Sequence, residues 1–225
     1  MLTLGIDDAG RGPVIGPMIL AGVLLNEEAE KELKKLGVRD SKELTHKRRE
    51  FLAEKIREKA EAFEIIIILP KDIDGSEDDA LERVKLNELE AFACARIINK
   101  INKGFGKIKV LVDCPSVSIS KWTDFLKRNI ENLSNLEISC EHKADKNHVS
   151  VSAASILAKC TRENEMAKLR TIYGEMGSGY CSDPLTKMFL EKNAYKHKDD
   201  GIFRKTWITW KQAIVKFEQK SLSEF

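Results

Sequence analysis

Two adjacent carboxylates, Asp7 and Asp8, follow an apolar opening segment, Leu2-Thr-Leu-Gly-Ile6, and run into the glycine-rich stretch Gly10-Arg-Gly-Pro-Val-Ile-Gly-Pro17. Two more acids stand in comparable places. Asp113 ends the apolar run Ile108-Lys-Val-Leu-Val112, and Asp145 comes shortly after Leu136-Glu-Ile-Ser-Cys140. An acid that terminates a buried strand sits at the carboxyl edge of a sheet, where α/β proteins gather their ligands. Four such carboxylates make an oxygen-rich set suited to hard cations, since Mg²⁺ is held by a few carboxylates, waters and phosphate oxygens. Two such ions about 4 Å apart can activate water and stabilise the leaving oxygen in phosphodiester cleavage. Two of the acids also have a plain structural use: Asp7 can cap a turn, and Asp145 a helix. In an extended segment Asp7 and Asp8 point to opposite faces, so both reach one site only if the strand ends or bulges there.

The glycines have a competing reading. Gly10, Gly12 and Gly16 loosely imitate a dinucleotide fingerprint, but that loop must feed a helix whose N-terminus meets a pyrophosphate. Pro17 and the strand-like Ile19 to Leu25 leave no room for one. The connection is strand, loop, strand, which excludes the dinucleotide site. Gly10 and Gly12 instead permit positive φ and close backbone approach to a ligand. Arg11 between them offers a forked phosphate donor, or is simply a solvated loop cation. No Ser–His or Cys–His pair stands at an interpretable spacing, and His142 and His148 beside Asp145 read as ordinary strand-end or loop histidines.

The elements that must position these groups alternate. Leu2 to Ile6 and Ile19 to Leu25 read as strands, a helix opens near Thr45, and Glu64 to Leu69 is a buried strand ended by Pro70. An acidic surface loop, Asp72 to Asp79, precedes a long amphipathic helix over Ala80 to Ile101. Then come a strand at Ile108 to Val112, a helix over 118–132, a strand at Leu136 to Cys140 and a small-residue helix at Val151 to Lys159. Residues 184–220 read as mostly helical, with Gln219 to Phe225 as a mobile tail. This order predicts an α/β protein with a mixed central sheet and a helical C-terminal extension.

Composition narrows the class. With 225 residues, 42% hydrophobic and 33% charged, the chain suits one large soluble domain. The net charge of +2 gives little long-range pull on nucleic acid, so such a partner must be held by local patches. Five cysteines without a C-x-x-C pair argue against zinc or a disulfide framework and fit a reducing cytosol. The opening residues carry no secretory leader pattern and no apolar run spans a bilayer, so a cytoplasmic protein is expected.

Several separate motifs now combine. Gly5-Ile-Asp-Asp-Ala-Gly-Arg-Gly-Pro13, Asp40-Ser-Lys-Glu-Leu44, Val112-Asp113, His142-Lys-Ala-Asp145, Ser152-Ala-Ala-Ser-Ile-Leu-Ala-Lys159 and Gly177-Ser-Gly-Tyr-Cys-Ser-Asp-Pro184 resemble type 2 ribonuclease H (ribonuclease HII) in order and spacing. The resemblance spans roughly residues 1–212, and its last two blocks look archaeal. It implies a ribonuclease H-like fold, with a catalytic core over about 1–170, a helical extension over about 171–212 and a tail at 213–225. It also implies a catalytic quartet at Asp7, Asp8, Asp113 and Asp145 that coordinates Mg²⁺ or Mn²⁺. Gly10, Arg11, Gly12 and Tyr180 would recognise the ribonucleotide, and Lys42 would contact phosphate. The implied activity is endonucleolytic, on the RNA of RNA–DNA hybrids and 5′ of ribonucleotides in duplex DNA, by a monomer.

The sequence departs from that family at Asp8, where glutamate is usual, retracting the carboxylate by about 1.5 Å. Either the activity suffers or the backbone shifts to compensate. Lys146-Asn-His-Val149 likewise replaces a stretch that commonly holds Tyr-Pro. The tail, Gln219-Lys-Ser-Leu222-Ser-Glu-Phe225, has the spacing of a sliding-clamp peptide, with Leu222 and Phe225 as apolar anchors and Gln219 as the polar one; a frayed terminus is the plain alternative. Two rival functions remain: a hybrid-binding module whose metal site Asp8 has weakened, and another metal-dependent nuclease of the same fold.

Overall fold

The computed structural model describes residues 1–38, 44–75 and 84–223, with side chains through residue 219. Five strands form one sheet in the order β3-β2-β1-β4-β5. These are β1 (Leu2–Ala9), β2 (Met18–Leu25), β3 (Ala62–Ile68), β4 (Ile108–Asp113) and β5 (Leu136–Glu141). β1 pairs antiparallel with β2 and parallel with β4, and β4 pairs parallel with β5. The sheet is mixed, as the element order predicts.

Helices α1 (Glu27–Lys35), α2 (His46–Lys59), α3 (Pro70–Asp74), α4 (Leu86–Ile101), α5 (Ile119–Arg128), α6 (Ala144–Asn147), α7 (Val149–Tyr173), α8 (Pro184–Asn193) and α9 (Ile208–Ser223) complete the chain. Local chemistry sets several boundaries. Asn26 accepts from the Ala29 amide at 2.8 Å to start α1, and Thr45 accepts from Arg48 at 3.3 Å to start α2. Asp183 caps α8 ahead of Pro184 at its first position.

Three predicted boundaries move. Residues 80–83 of the helix expected from Ala80 lie outside the described residues; α4 begins at Leu86, where the Glu88 side chain accepts from the Lys85 amide at 3.0 Å. The helix expected over Val151 to Lys159 runs from Val149 to Tyr173, because Met166 and Leu169 extend its apolar stripe beyond the small residues. Residues 184–220 are mostly helical, as expected, in α8 and α9, but α9 continues past Gln219 to Ser223, into the expected tail.

The chain divides into two compact units. The first is Met1–Ala9, Ile19–Ile67 and Val84–Thr161; the second is Gly10–Met18, Ile68–Arg83 and Arg162–Phe225. In the first, alternate residues of β2 (Ile19, Ala21, Val23, Leu25) pack with Ala153, Ala154, Leu157 and the apolar faces of α1 and α2. Gly5 lies where α7 meets β1: a Cβ there would stand 2.1 Å from the Ser150 carbonyl carbon. On the other face Gly22 admits Ile97 of α4, whose Cγ2 would be 2.3 Å from an added Cβ. In the second unit Val14, Ile15, Met166, Phe189, Phe203 and Trp210 form a separate core. Among the described residues no helix is long and apolar enough to cross a membrane.

Candidate active site

The placement of the acids begins with register. Leu2 stands beside Ile108 and Ile6 beside Val112 in the parallel β1–β4 pair, so the next step of the same register brings Asp7 alongside Asp113. Adjacent strands lie about 4.8 Å apart, and neighbours in a parallel pair share a face. Asp7 is 7% exposed. Its carboxyl is held well above the usual carboxylate range, first by burial, then by the charge of Asp8, with Asp113 adding to the repulsion. Opposing this, the Ser155 hydroxyl of α7 and the Asp8 amide donate to it, the latter at 2.8 Å.

Asp113 is half-buried and also raised, chiefly by desolvation, with Asp145 contributing repulsion. Its Oδ1 accepts from the Ala144 amide at 3.1 Å. That contact depends on Lys143, the one non-glycine with positive φ (59°) among the described residues. Such a conformation costs roughly 1 kcal/mol or more. It turns the chain sharply after β5 into α6, so that the Ala144 amide faces Asp113 and Asp145 becomes buried, at 5% exposure.

Asp8 takes a different direction. It pairs regularly with Leu20, and the pairing continues through Ala9 and Ile19 without an inserted residue. The bulge that would swing both carboxylates to one face is absent. Asp7 reaches Ser155 of α7, while Asp8, together with Asp7 and Asp113, lines a cavity of about 10 Å³ walled by Glu90 and Cys94 of α4 and by Trp122. That is room for about one water-sized particle. None of the described residues lining it is basic. Glu90, 2% exposed, is an acid that sequence reasoning missed. Its spacing to Cys94, Ile97, Ile98 and Ile101 places it on the buried stripe of α4 and was there to be read.

The four acids expected from sequence are thus linked as neighbours: Asp7 to Asp8 and Asp113, and Asp113 to Asp145. Among the described residues no three His, Cys, Asp or Glu side chains are arranged as a ready-made metal cluster. The donor set itself suits a hard divalent cation, being carboxylate oxygen, largely buried, mutually repelling, and without a basic side chain on the cavity wall. The histidines are ordinary, as expected: His142 Nδ1 pairs with the Cys114 carbonyl at 2.9 Å, and His148 with Glu141.

The remaining expected groups fall in the second unit or outside the description. Gly10 has φ of +82°, and an added Cβ would collide with Arg162 Cδ at 2.5 Å, so only glycine serves there. A Cβ on Gly12 would meet the Tyr180 ring at 3.6 Å, ordinary contact. Tyr180 is 42% exposed rather than a core aromatic. The turn that carries it is fixed by the Ser178 amide and hydroxyl donating to Asp183, both at 2.7 Å, and by the Gly179 amide donating to Thr186 at 2.9 Å. Lys42 and Phe225 lie outside the described residues, as does the Leu222 side chain, and Gln219 is exposed on α9. Of the acidic loop expected at Asp72 to Asp79, residues 76–79 lie outside the described residues and Asp72 to Asp74 are helical in α3, where Asp74 accepts from the Lys205 and Thr206 amides at 2.7 and 3.1 Å.

A mixed sheet in this order, with acids at the ends of its central strands and helices on its faces, defines the ribonuclease H-like class of fold. The family model for Ribonuclease HII matches residues 4–210. Ribonuclease HII of Methanococcus maripaludis strain C7 is 40% identical over 227 residues, covering 100% of this chain and 92% of that protein. The crystal structure of ribonuclease H2 from Pyrococcus horikoshii superposes with a TM-score of 0.85 at 36% identity, covering 97% of this chain and 99% of the other. Ribonuclease HII of Archaeoglobus fulgidus, solved in complex with PCNA, gives 0.79 at 36% identity over 92% of this chain and 95% of that one. The chain belongs to the ribonuclease HII family, and so is a metal-dependent endonuclease of the ribonuclease H type.

Burial and like-charge repulsion raise the Asp7 carboxyl, so its ionisation opposes folding. A raised carboxyl contributes stability while protonated, and loses that contribution as pH rises through its elevated folded value. In metal-free buffer at neutral pH, Asp7→Asn is therefore expected to melt higher than the parent, by about 2–4 °C for each kcal/mol of relief. The gap should narrow as pH falls towards the ordinary carboxylate range, as followed by thermal unfolding. A variant that melts lower at neutral pH would show the ionised group to be a net stabiliser.

Proposed function

We propose that the chain hydrolyses the RNA strand of RNA–DNA hybrids and cuts on the 5′ side of ribonucleotides embedded in duplex DNA. The ends would be a 5′-phosphate and a 3′-hydroxyl, which suits ribonucleotide removal and RNA-primer removal. The observation that carries this reading is the β1–β4 register, which brings Asp7 alongside Asp113 next to Asp145, in a chain of the ribonuclease HII family.

Asp7, Asp8, Asp113 and Asp145 would hold Mg²⁺ or Mn²⁺. When bound, such ions supply Lewis acidity and a water of lowered pKa, and neutralise charge on the phosphate. The chain's own part is orientation. Ser155 and the Asp8 amide fix the rotamer of Asp7, and the Ala144 amide fixes that of Asp113. The amides of the Gly10–Gly12 loop would donate to the ribose 2′-hydroxyl, which separates RNA from DNA. Tyr180, exposed beside Gly12, would stack on a sugar or base. Arg11 and Lys42 would contact phosphate. The regular pairing at Asp8 and the lack of a ready-made cluster among the described residues favour one second reading, a hybrid-binding module with a weakened metal centre. The protein would act as a cytoplasmic monomer.

The test is a duplex DNA carrying a single ribonucleotide, beside an all-DNA control, in Mg²⁺ and in Mn²⁺. Cutting 5′ of the ribonucleotide alone, lost by at least about a hundredfold in Asp113→Asn, supports the nuclease reading. Tight binding without cutting in either ion supports the module, and cutting of the control refutes ribonucleotide specificity. On the same substrate Asp8→Glu should raise the rate, since β1 pairs regularly through Asp8 with no bulge to carry the shorter side chain forward. The expected gain is roughly 10- to 100-fold, the scale of an ångström-level misplacement. Equal rates with unchanged metal dependence would remove the role given to Asp8.

The tail would dock on a sliding clamp through Gln219, Leu222 and Phe225, helped by the helical course of α9 to Ser223. Deleting residues 219–225 should abolish clamp binding by surface plasmon resonance while sparing cleavage of short duplexes. Retained binding refutes that assignment.

A further inference from the structure

The Gly10–Gly12 loop is held by a segment with no evident chemistry of its own, Phe203 to Trp207. Arg204 is fully buried, at 0% exposure. Its Nη2 donates to the Gly10 carbonyl at 2.6 Å and its Nη1 to the Arg11 carbonyl at 2.7 Å. Its Nε and Nη2 also donate to the Gly16 carbonyl, at 3.1 and 3.0 Å. The next carbonyl of the loop, Gly12, accepts from the Trp207 indole Nε1 at 3.1 Å, and the Arg204 guanidinium lies 5.1 Å from that ring's centre. Three successive carbonyls are therefore drawn to one block.

In a planar trans peptide the carbonyl of one residue and the N–H of the next point in opposite directions. No cis peptide occurs among the described residues. Fixing the Gly10 and Arg11 carbonyls on a buried guanidinium thus turns the amides of Arg11 and Gly12 away from the interior. Pro13 has no N–H, so this pair is the donor set that the clamp orients. Gly12 is exposed and its α-carbon faces the Tyr180 ring. We infer that Arg204 and Trp207 are positioning residues that set the preference for ribose over deoxyribose, by locking the loop with the Arg11 and Gly12 amides directed at a sugar oxygen. The inference rests on the ribonucleotide-cleaving reading above. A merely structural clamp would affect stability and leave the preference alone.

Two duplexes differing in a single 2′-hydroxyl are titrated with the full chain in an Asp113→Asn background, which leaves both uncut. The readout is the ratio of their affinities. Trp207→Phe keeps the ring and removes one donor, and should lower the ratio roughly three- to tenfold. Arg204→Lys replaces the fork by a point charge and should lower it by about tenfold or more. Thr206→Val, which removes a 2.6 Å bond to Asp74 in the same unit, should lower the melting temperature and leave the ratio unchanged. If Arg204→Lys does not fold, Trp207→Phe decides alone. A ratio preserved in every folded clamp variant, or lowered equally by Thr206→Val, overturns the positioning role. If the background protein binds both duplexes equally, the ribose reading itself fails, and that outcome is distinct from discrimination that survives the substitutions.

Discussion

Charge repulsion inside the sheet is the constraint around which the first unit is organised. Asp7 is almost wholly buried on a central strand, between the charges of Asp8 and Asp113. Taking one carboxylate out of water without a partner costs several kcal/mol, whereas hydrogen bonds to a charged group each return about 1.5–3 kcal/mol. Ser155 and the Asp8 amide therefore orient Asp7 more than they compensate it. The same holds at Asp113, where the Ala144 amide is gained only by forcing Lys143 into the left-handed region. A fold that accepts both burial and strain to hold acids together is poised for positive charge, and the cavity wall offers none of its own. The proposed divalent cations answer that imbalance.

This constraint also explains why small residues line the opposite element. Ser155 reaches Asp7 only if α7 lies close to β1, and Gly5 removes the one Cβ that would hold them apart. Ala153 and Ala154 allow the same approach against β2. Such closeness fixes the strand as well as the helix. β1 pairs regularly with β2 through Asp8, with no bulge toward its neighbour.

The strands were legible because apolar runs bounded by glycine, proline and acid have a plain physical meaning. The Glu64–Leu69 run expected to be buried is instead the half-exposed edge strand β3, since an apolar run alone does not reveal which strand lies at the edge. What one strand does not reveal is its register against another: that Asp7 falls beside Asp113 follows from the Leu2–Ile108 pairing. The opposite facing of Asp8 was foreseeable from alternation, and its regular pairing bears that out. Glu90 could have been found from helical period. Arg204 could not, since a single arginine among Phe203, Trp207 and Trp210 looks like any surface cation until its four contacts to carbonyls are seen. Asp74 was read as a solvated loop acid for a similar reason, its partners at Lys205 and Thr206 lying 131 and 132 residues away. The end of α7 was missed because its apolar stripe passes from small residues to Met166 and Leu169 across a polar run.

A regular sheet and an irregular loop are made precise in different ways. In the central strands β1 and β4 the backbone is paired on both sides, so precision comes from register. The glycine loop has no ladder. Its buried carbonyls would each cost about 1–3 kcal/mol if left unpaired, and water that satisfied them would leave the loop mobile. An arginine meets this need, because it carries five donors, no acceptor and a planar fork. Arg204 serves Gly10, Arg11 and Gly16, while Arg162 serves Pro17 at 2.8 Å and Ser178 at 3.0 Å. Holding the Gly10, Arg11 and Gly12 carbonyls from within sets the direction of the amides that follow Gly10 and Arg11. On the proposed reading, recognition would depend on the backbone geometry of this loop rather than on a side chain.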